Sequence, residues 1–118
     1  MNNQSNIKYI FNEKEYLCSL ELAMELIGGK WKTLMLYHLK DGAMRSGDLQ
    51  RSLPGIANKM FTQTARELER IGLIQRIVHP VVPPKVEYKL TEKGESVIPV
   101  LTHLGEWGVA MSDVKELH

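Results

Sequence analysis

Between residues 58 and 70 the chain reads NKMFTQTARELER, with its polar side chains spaced to gather on one side of a helix. At about 100° per residue, Lys59, Thr62, Gln63, Arg66 and Arg70 share one arc. Phe61, Ala65, Leu68 and Gly72 share the opposite arc. Every residue of the polar arc carries a hydrogen-bond donor, and the acids Glu67 and Glu69 are displaced to its flanks. Donors arranged in this way suit the major groove of B-form DNA, which admits a helix and presents guanine edges to Arg and adenine edges to Gln or Asn. Arg66, Gln63 and Lys59 are therefore the base-reading candidates, and the shorter Thr62 and Asn58 reach phosphate or sugar. The plainer reading of the same arc is a solvated helix face, so the surrounding elements must decide.

Other residues extend this chemistry. Arg45 and Ser46 stand at the start of a short preceding helix, where free backbone N–H groups and the positive dipole end favour a phosphate, although capping alone explains Ser46. Arg76, His79 and Lys85 flank a hairpin and are placed to grip neighbouring backbone; the proline-rich tip has no basic residue, which argues against its insertion into a minor groove. Cys18 is the sole cysteine, which fits a reducing compartment and excludes a cysteine-built zinc site. It lies just before a helix, a setting that favours the thiolate, while Glu15 and Glu21 oppose it. Two readings of Cys18 stand: a thiol that senses oxidants or electrophiles, and a small buried apolar residue.

Gly28-Gly29-Lys30 is not a phosphate-binding loop, because Met24 stands five residues before Gly29 and Trp31 occupies the place of the required Ser or Thr. The histidines at 38, 79, 103 and 118 lack ligand spacing, and no nucleophile–base pair is visible. No metal, no cofactor and no enzymatic activity are expected.

The elements that must position these residues are legible from periodicity and punctuation. Leu20, Ala23, Leu26 and Ile27 predict a short helix over 19–27 capped by Ser19 and stopped at Gly28. Trp31, Leu34, Met35 and Leu39 predict a second helix that ends by Asp41 and Gly42. Ser46 caps a helix of about two turns carrying Leu49 and Leu53. Pro54 and Gly55 then make a turn, and Asn58 caps the helix that follows. Two helices joined by a short Gly-containing turn form a helix-turn-helix, here 46–71. Residues 73–79 and the alternating Val86, Tyr88 and Leu90 predict two strands joined by a stiff PVVPP loop, a wing spanning 73–90. Thr91 caps a last helix with an apolar stripe of Val97, Leu101, Leu104, Gly108 and Met111, flanked by Val100 and Trp107 and kinked at Pro99. That stripe is longer than so small a core can cover, which points to a second subunit.

At 118 residues, 43% apolar and 25% charged, the chain fits one folded domain over 1–118. It lacks both an apolar run long enough to span a bilayer and a signal-like start, so a cytoplasmic protein without membrane contact is expected. The net charge of +1 hides a division. Residues 30–85 hold ten Lys or Arg against four acids, a net of +6, while the segments before and after carry −2 and −3. A basic centre between acidic ends fits a polyanion-binding face with a separate assembly surface.

Several segments together resemble the HxlR-type winged-helix regulators, relatives of the MarR group. They are Cys18, LIGGKWK at 26–32, LPGI at 53–56, KM and TQ within 59–63, RELE at 66–69, GLI at 72–74, VPPKVEYKLTEKG at 82–94 and PVL at 99–101. The resemblance implies a mainly α member of the α+β class: a winged helix-turn-helix with a two-stranded wing and N- and C-terminal dimerisation helices. It implies a homodimeric transcription regulator that binds a near-palindromic double-stranded operator. Dimerisation would run through 5–27 and 91–117, with Ile10, Phe11, Leu17, Val97, Leu101, Leu104, Trp107 and Met111 at the interface. In some members a cysteine at the place of Cys18 senses oxidants or electrophiles by bonding between subunits. Three positions depart from the pattern: Ser19 for a usual proline, Thr64 for a common arginine, and Ala65 for a common leucine. Losing a basic residue at 64 would weaken backbone contact, and Ala65 would alter the packing of the reading helix. A rival reading is a winged-helix module for protein association. A small-molecule effector pocket lined by Trp31, Tyr37, Trp107 and Met111 is compatible with regulation, although core packing explains those residues more simply.

Overall fold

The structure is a computed structural model that describes residues 7–113, so 5–6 and 114–117 of the expected dimerisation segments lie outside the described residues. The chain opens with an antiparallel hairpin, β1 (Tyr9–Phe11) and β2 (Lys14–Tyr16), which the sequence reading did not anticipate. Asn12 and Glu13 form its turn, both at positive φ, the backbone twist that a two-residue hairpin loop requires. Then follow α1 (Ser19–Ile27), α2 (Lys30–His38), β3 (Met44–Arg45), α3 (Ser46–Arg51) and α4 (Asn58–Arg70). The wing strands β4 (Ile74–His79) and β5 (Lys85–Leu90) lead into α5 (Glu92–Met111).

β3 is the second unanticipated strand. It pairs Met44 with Tyr88 and Arg45 with Glu87, giving a three-stranded antiparallel sheet in the order β3-β5-β4. Strands of two or three residues are too short for a period of two to show in sequence. Recruiting Arg45 into β3 also explains why Ser46 is the first helical residue and not the cap. Ser19 and Asn58 are likewise first helical residues, behind Cys18 and Ala57, and none of these three helix starts has a side-chain cap. Thr91 does cap α5, accepting from the Gly94 N–H at 3.1 Å. The helix runs on through Pro99 to Met111 without interruption, so the expected kink does not break it.

One apolar core joins α2, α3, α4, the wing and α5, centred on Met35, Leu36, Leu49, Leu68 and Ile74. Leu101 belongs to this core at 4% exposure. Placing it at a subunit interface was therefore wrong: its side chain is already used within the chain. Thr91 is the knot of the assembly. Its hydroxyl donates to the Gly72 carbonyl at 2.6 Å, and its N–H donates to the Leu73 carbonyl at 3.1 Å. The end of α4, the start of the wing and the start of α5 thus meet at one residue.

Candidate nucleic-acid interface

α3 is anchored by Leu49, which is fully buried, and the chain then turns through Leu53-Pro54-Gly55-Ile56. Gly55 sits at φ 87°, in the left-handed region that a side chain would resist. The turn delivers α4 with Phe61, Thr64, Ala65 and Leu68 buried. Lys59, Thr62, Gln63, Arg66 and Arg70 all face solvent, as the spacing predicted. Thr64, at 4% exposure, points inward, so substitution there bears on packing and not on phosphate contact. Ala65 is buried too, which places both of these departures from the family pattern behind the polar face.

The exposed face has two sides. Between α3, α4 and the wing lies a concavity of about 1110 Å³ whose lining includes Arg45, Ser46, Asn58, Thr62, Arg66, Arg76 and Lys85. The other flank of α4 presents Lys59, Gln63 and Arg70. Asn58, Thr62 and Arg66 border both sides, so they form the ridge between them. Phe61 holds this geometry by packing edge-on against Tyr88 of β5, ring centroids 6.2 Å apart, which fixes the wing against α4.

Arg76 lines the concavity, whereas His79 is not among its lining residues, although Lys85, opposite His79 in the ladder, is. His79 Nε2 lies 2.7 Å from Glu87 Oε1, and Lys85 Nζ lies 3.6 Å from Glu87 Oε2. The hydrogen bond with His79, followed by the charge of Lys85, holds the Glu87 carboxyl below its usual range. His79 and Lys85 thus share Glu87; Lys85 also lines the concavity, and the expected DNA contact by His79 stands as a proposal.

The acids on α4 also divide. Glu67 turns toward Lys32 of α2 at 3.6 Å and toward Arg70 at 3.9 Å. Glu69, expected on a flank, instead lines the concavity with Arg66 and Arg76. Arg45, Lys59, Arg66 and Arg76 form no ion pair among the described residues. Sequence reasoning missed Gln50, Arg51 and the tip residues Val81, Val82, Pro83 and Pro84, which also line the concavity. Gln50 and Arg51 lie on α3 opposite Leu49, and that amphipathic pattern was the available signal. Val82 is 99% exposed.

The HxlR-like helix-turn-helix family model matches residues 26–116. The chain belongs to this family. An HTH-type transcriptional regulator of Methanothermobacter thermautotrophicus is 58% identical to this HxlR-like chain over 96 residues, 81% of the chain and 73% of the relative. The redox regulator HypR in its oxidised form superposes with a TM-score of 0.77 at 43% identity, covering 82% of this chain and all of that one. HypR in its reduced form gives 0.76 at 42% identity, covering 79% and 92%. The HxlR-like fold is a winged helix-turn-helix, and the relatives are named as transcriptional regulators.

Elsewhere in this HxlR-like chain, Cys18 is half-buried within the single chain. Trp31 and Tyr37 pack onto the core while Trp107 and Met111 stand open to solvent, so one chain alone does not close a cavity around the four. Among the described residues no helix is long and apolar enough to cross a membrane, and no cluster of metal-ligating side chains occurs.

Proposed function

We propose that this HxlR-like protein is a cytoplasmic, homodimeric regulator that binds a specific double-stranded operator. Each subunit inserts α4 into a major groove, and the two helices lie about one DNA turn, roughly 34 Å, apart. The observation that carries this reading is the ridge of Asn58, Thr62 and Arg66, flanked by unpaired cations on one side of the molecule. Arg45, Ser46, Arg76 and Lys85 then contact phosphates, while Lys59, Gln63, Arg66 and Arg70 approach base edges or the adjoining backbone. A protein-association module would bury apolar residues on that face, and α4 offers none at its centre.

Binding to duplexes selected from a random library, followed across a salt series, tests this function. A specific complex should form, weaken steeply as salt rises, and be weakened and made less selective by Arg66→Ala. Binding that is absent, or indifferent to salt, would overturn it.

We further propose that Cys18 receives an oxidising or electrophilic signal. The half-buried thiol immediately before α1 and the likeness to the redox regulator HypR support this. Being the sole cysteine, it forms a disulfide only between chains or with a small thiol. Diamide should yield a covalent dimer on a non-reducing gel and alter DNA affinity, and both effects should vanish in Cys18→Ser. If diamide changes neither property, Cys18 is structural.

A further inference from the structure

Asn58 was expected to cap α4, but Ala57 takes the cap position, which frees the Asn58 side chain. The side-chain oxygen of Asn58 instead accepts a hydrogen bond from Gln50 Nε2 across the turn between α3 and α4. Both residues line the concavity, and Asn58 also borders the outer flank of α4, on the ridge with Thr62 and Arg66. The bond fixes the amide's orientation. An Asn reads adenine only with both ends, its oxygen accepting from N6 and its nitrogen donating to N7. Gln50 takes one of the two lone pairs on Oδ1, which holds the amide in one orientation with both Nδ2 hydrogens left to meet DNA.

We infer that Gln50 is a positioning residue that holds the Asn58 amide so that its Nδ2 hydrogens donate to DNA. Its ligand is an acceptor on the duplex, either a phosphate oxygen or a base acceptor such as guanine O6 or N7. Gln50 acts through Asn58 and not by its own contact. α3 therefore contributes to recognition through Asn58 without entering the groove. The inference rests on the proposed DNA-binding function, but its first measurement does not.

In the free protein, exchange of the Gln50 side-chain amide protons with water should be slowed, and Asn58→Ala should restore fast exchange. Equal exchange in both proteins would overturn the clamp whatever the protein binds. With duplexes selected by the wild type, Gln50→Ala should weaken binding about fivefold, the cost of one lost hydrogen bond. In an Asn58→Ala background the same substitution should change nothing. An equal loss in both backgrounds, or no loss in either, would refute action through Asn58.

Methylphosphonate substitution along the selected duplex, and 7-deazaguanine or inosine substitution in it, separate the two acceptors. The one modification that weakens wild-type binding but not Asn58→Ala identifies the contact. Asn58→Asp keeps the bond from Gln50 but removes the donors, and it should lose at least as much affinity as Asn58→Ala.

Discussion

Arg66, Arg76 and His79 have similar standing in the sequence, and the fold separates them. Arg66 stands unpaired on the ridge of α4, so Arg66→Ala should cost about 1–3 kcal/mol of operator affinity and relax base preference at one position per half-site, measured by competition among duplex variants. Arg76→Ala should weaken all sequences alike and reduce the salt slope by about one. His79→Ala tests the proposed contact there: with Glu87 as its one partner, both quantities stay unchanged. Strand parity already set 76 and 79 on opposite faces once Tyr88 faces the core, yet Lys85 shares the His79 face and still lines the concavity. What parity did not provide was the partner. Glu87 titrates below its usual value near 4.5 because the folded wing stabilises its charged form. Its contribution to stability is therefore complete above about 4.5 and is lost as pH falls through the lowered folded value. Following the His79 ring resonances through acid titration should show this loss in the wild type, and Glu87→Gln should flatten the profile.

At the scale of elements, helix limits at 19–27 and 58–70 were legible because glycines, proline and polar starts bracket clear apolar periods. The hairpin at the start and β3 were not, since tertiary pairing and not local pattern creates strands so short. α3 illustrates how little can hold a functional element. Six residues long, it buries one side chain, Leu49, at 0% exposure. Leu49→Ala should destabilise the protein by about 2–5 kcal/mol, read as a lower chemical-denaturation midpoint. Gly94 is a tighter constraint. A Cβ there would lie 2.0 Å from the Leu73 carbonyl oxygen, backbone that the Thr91 bonds hold in place. Gly94→Ala should therefore cost more than the loss of helix-capping Thr91→Ala, which removes two hydrogen bonds but creates no clash. Thermal melts of the two variants make the comparison.

For the whole molecule, the sequence suggested an assembly surface, and the structure shows an apolar stripe left uncovered by the core. Every residue from 102 to 111 is exposed, leaving almost three turns of α5 standing clear of the core, about 15 Å of helix. Leu104, Trp107 and Met111 line its apolar stripe, with Trp107 at 64% exposure. Leu20, Met24 and Ile10 expose a further apolar area near the other end of the chain. A stripe of this kind has little reason to stay helical alone in water. Trp107→Glu should yield a monomer by light scattering and, with only one reading helix per complex, much weaker operator binding. The expected interface thus stands as a proposal at Ile10, Phe11, Leu17, Val97, Leu104, Trp107 and Met111, without Leu101. The bare half of α5 also bears on biogenesis. Under the proposed homodimer, a newly made subunit would carry this stripe uncovered until it met another, and maturation would be a second-order event whose pace follows expression level. Dilution should lower the melting temperature, and cells holding few copies would carry a larger fraction of subunits exposed to proteases.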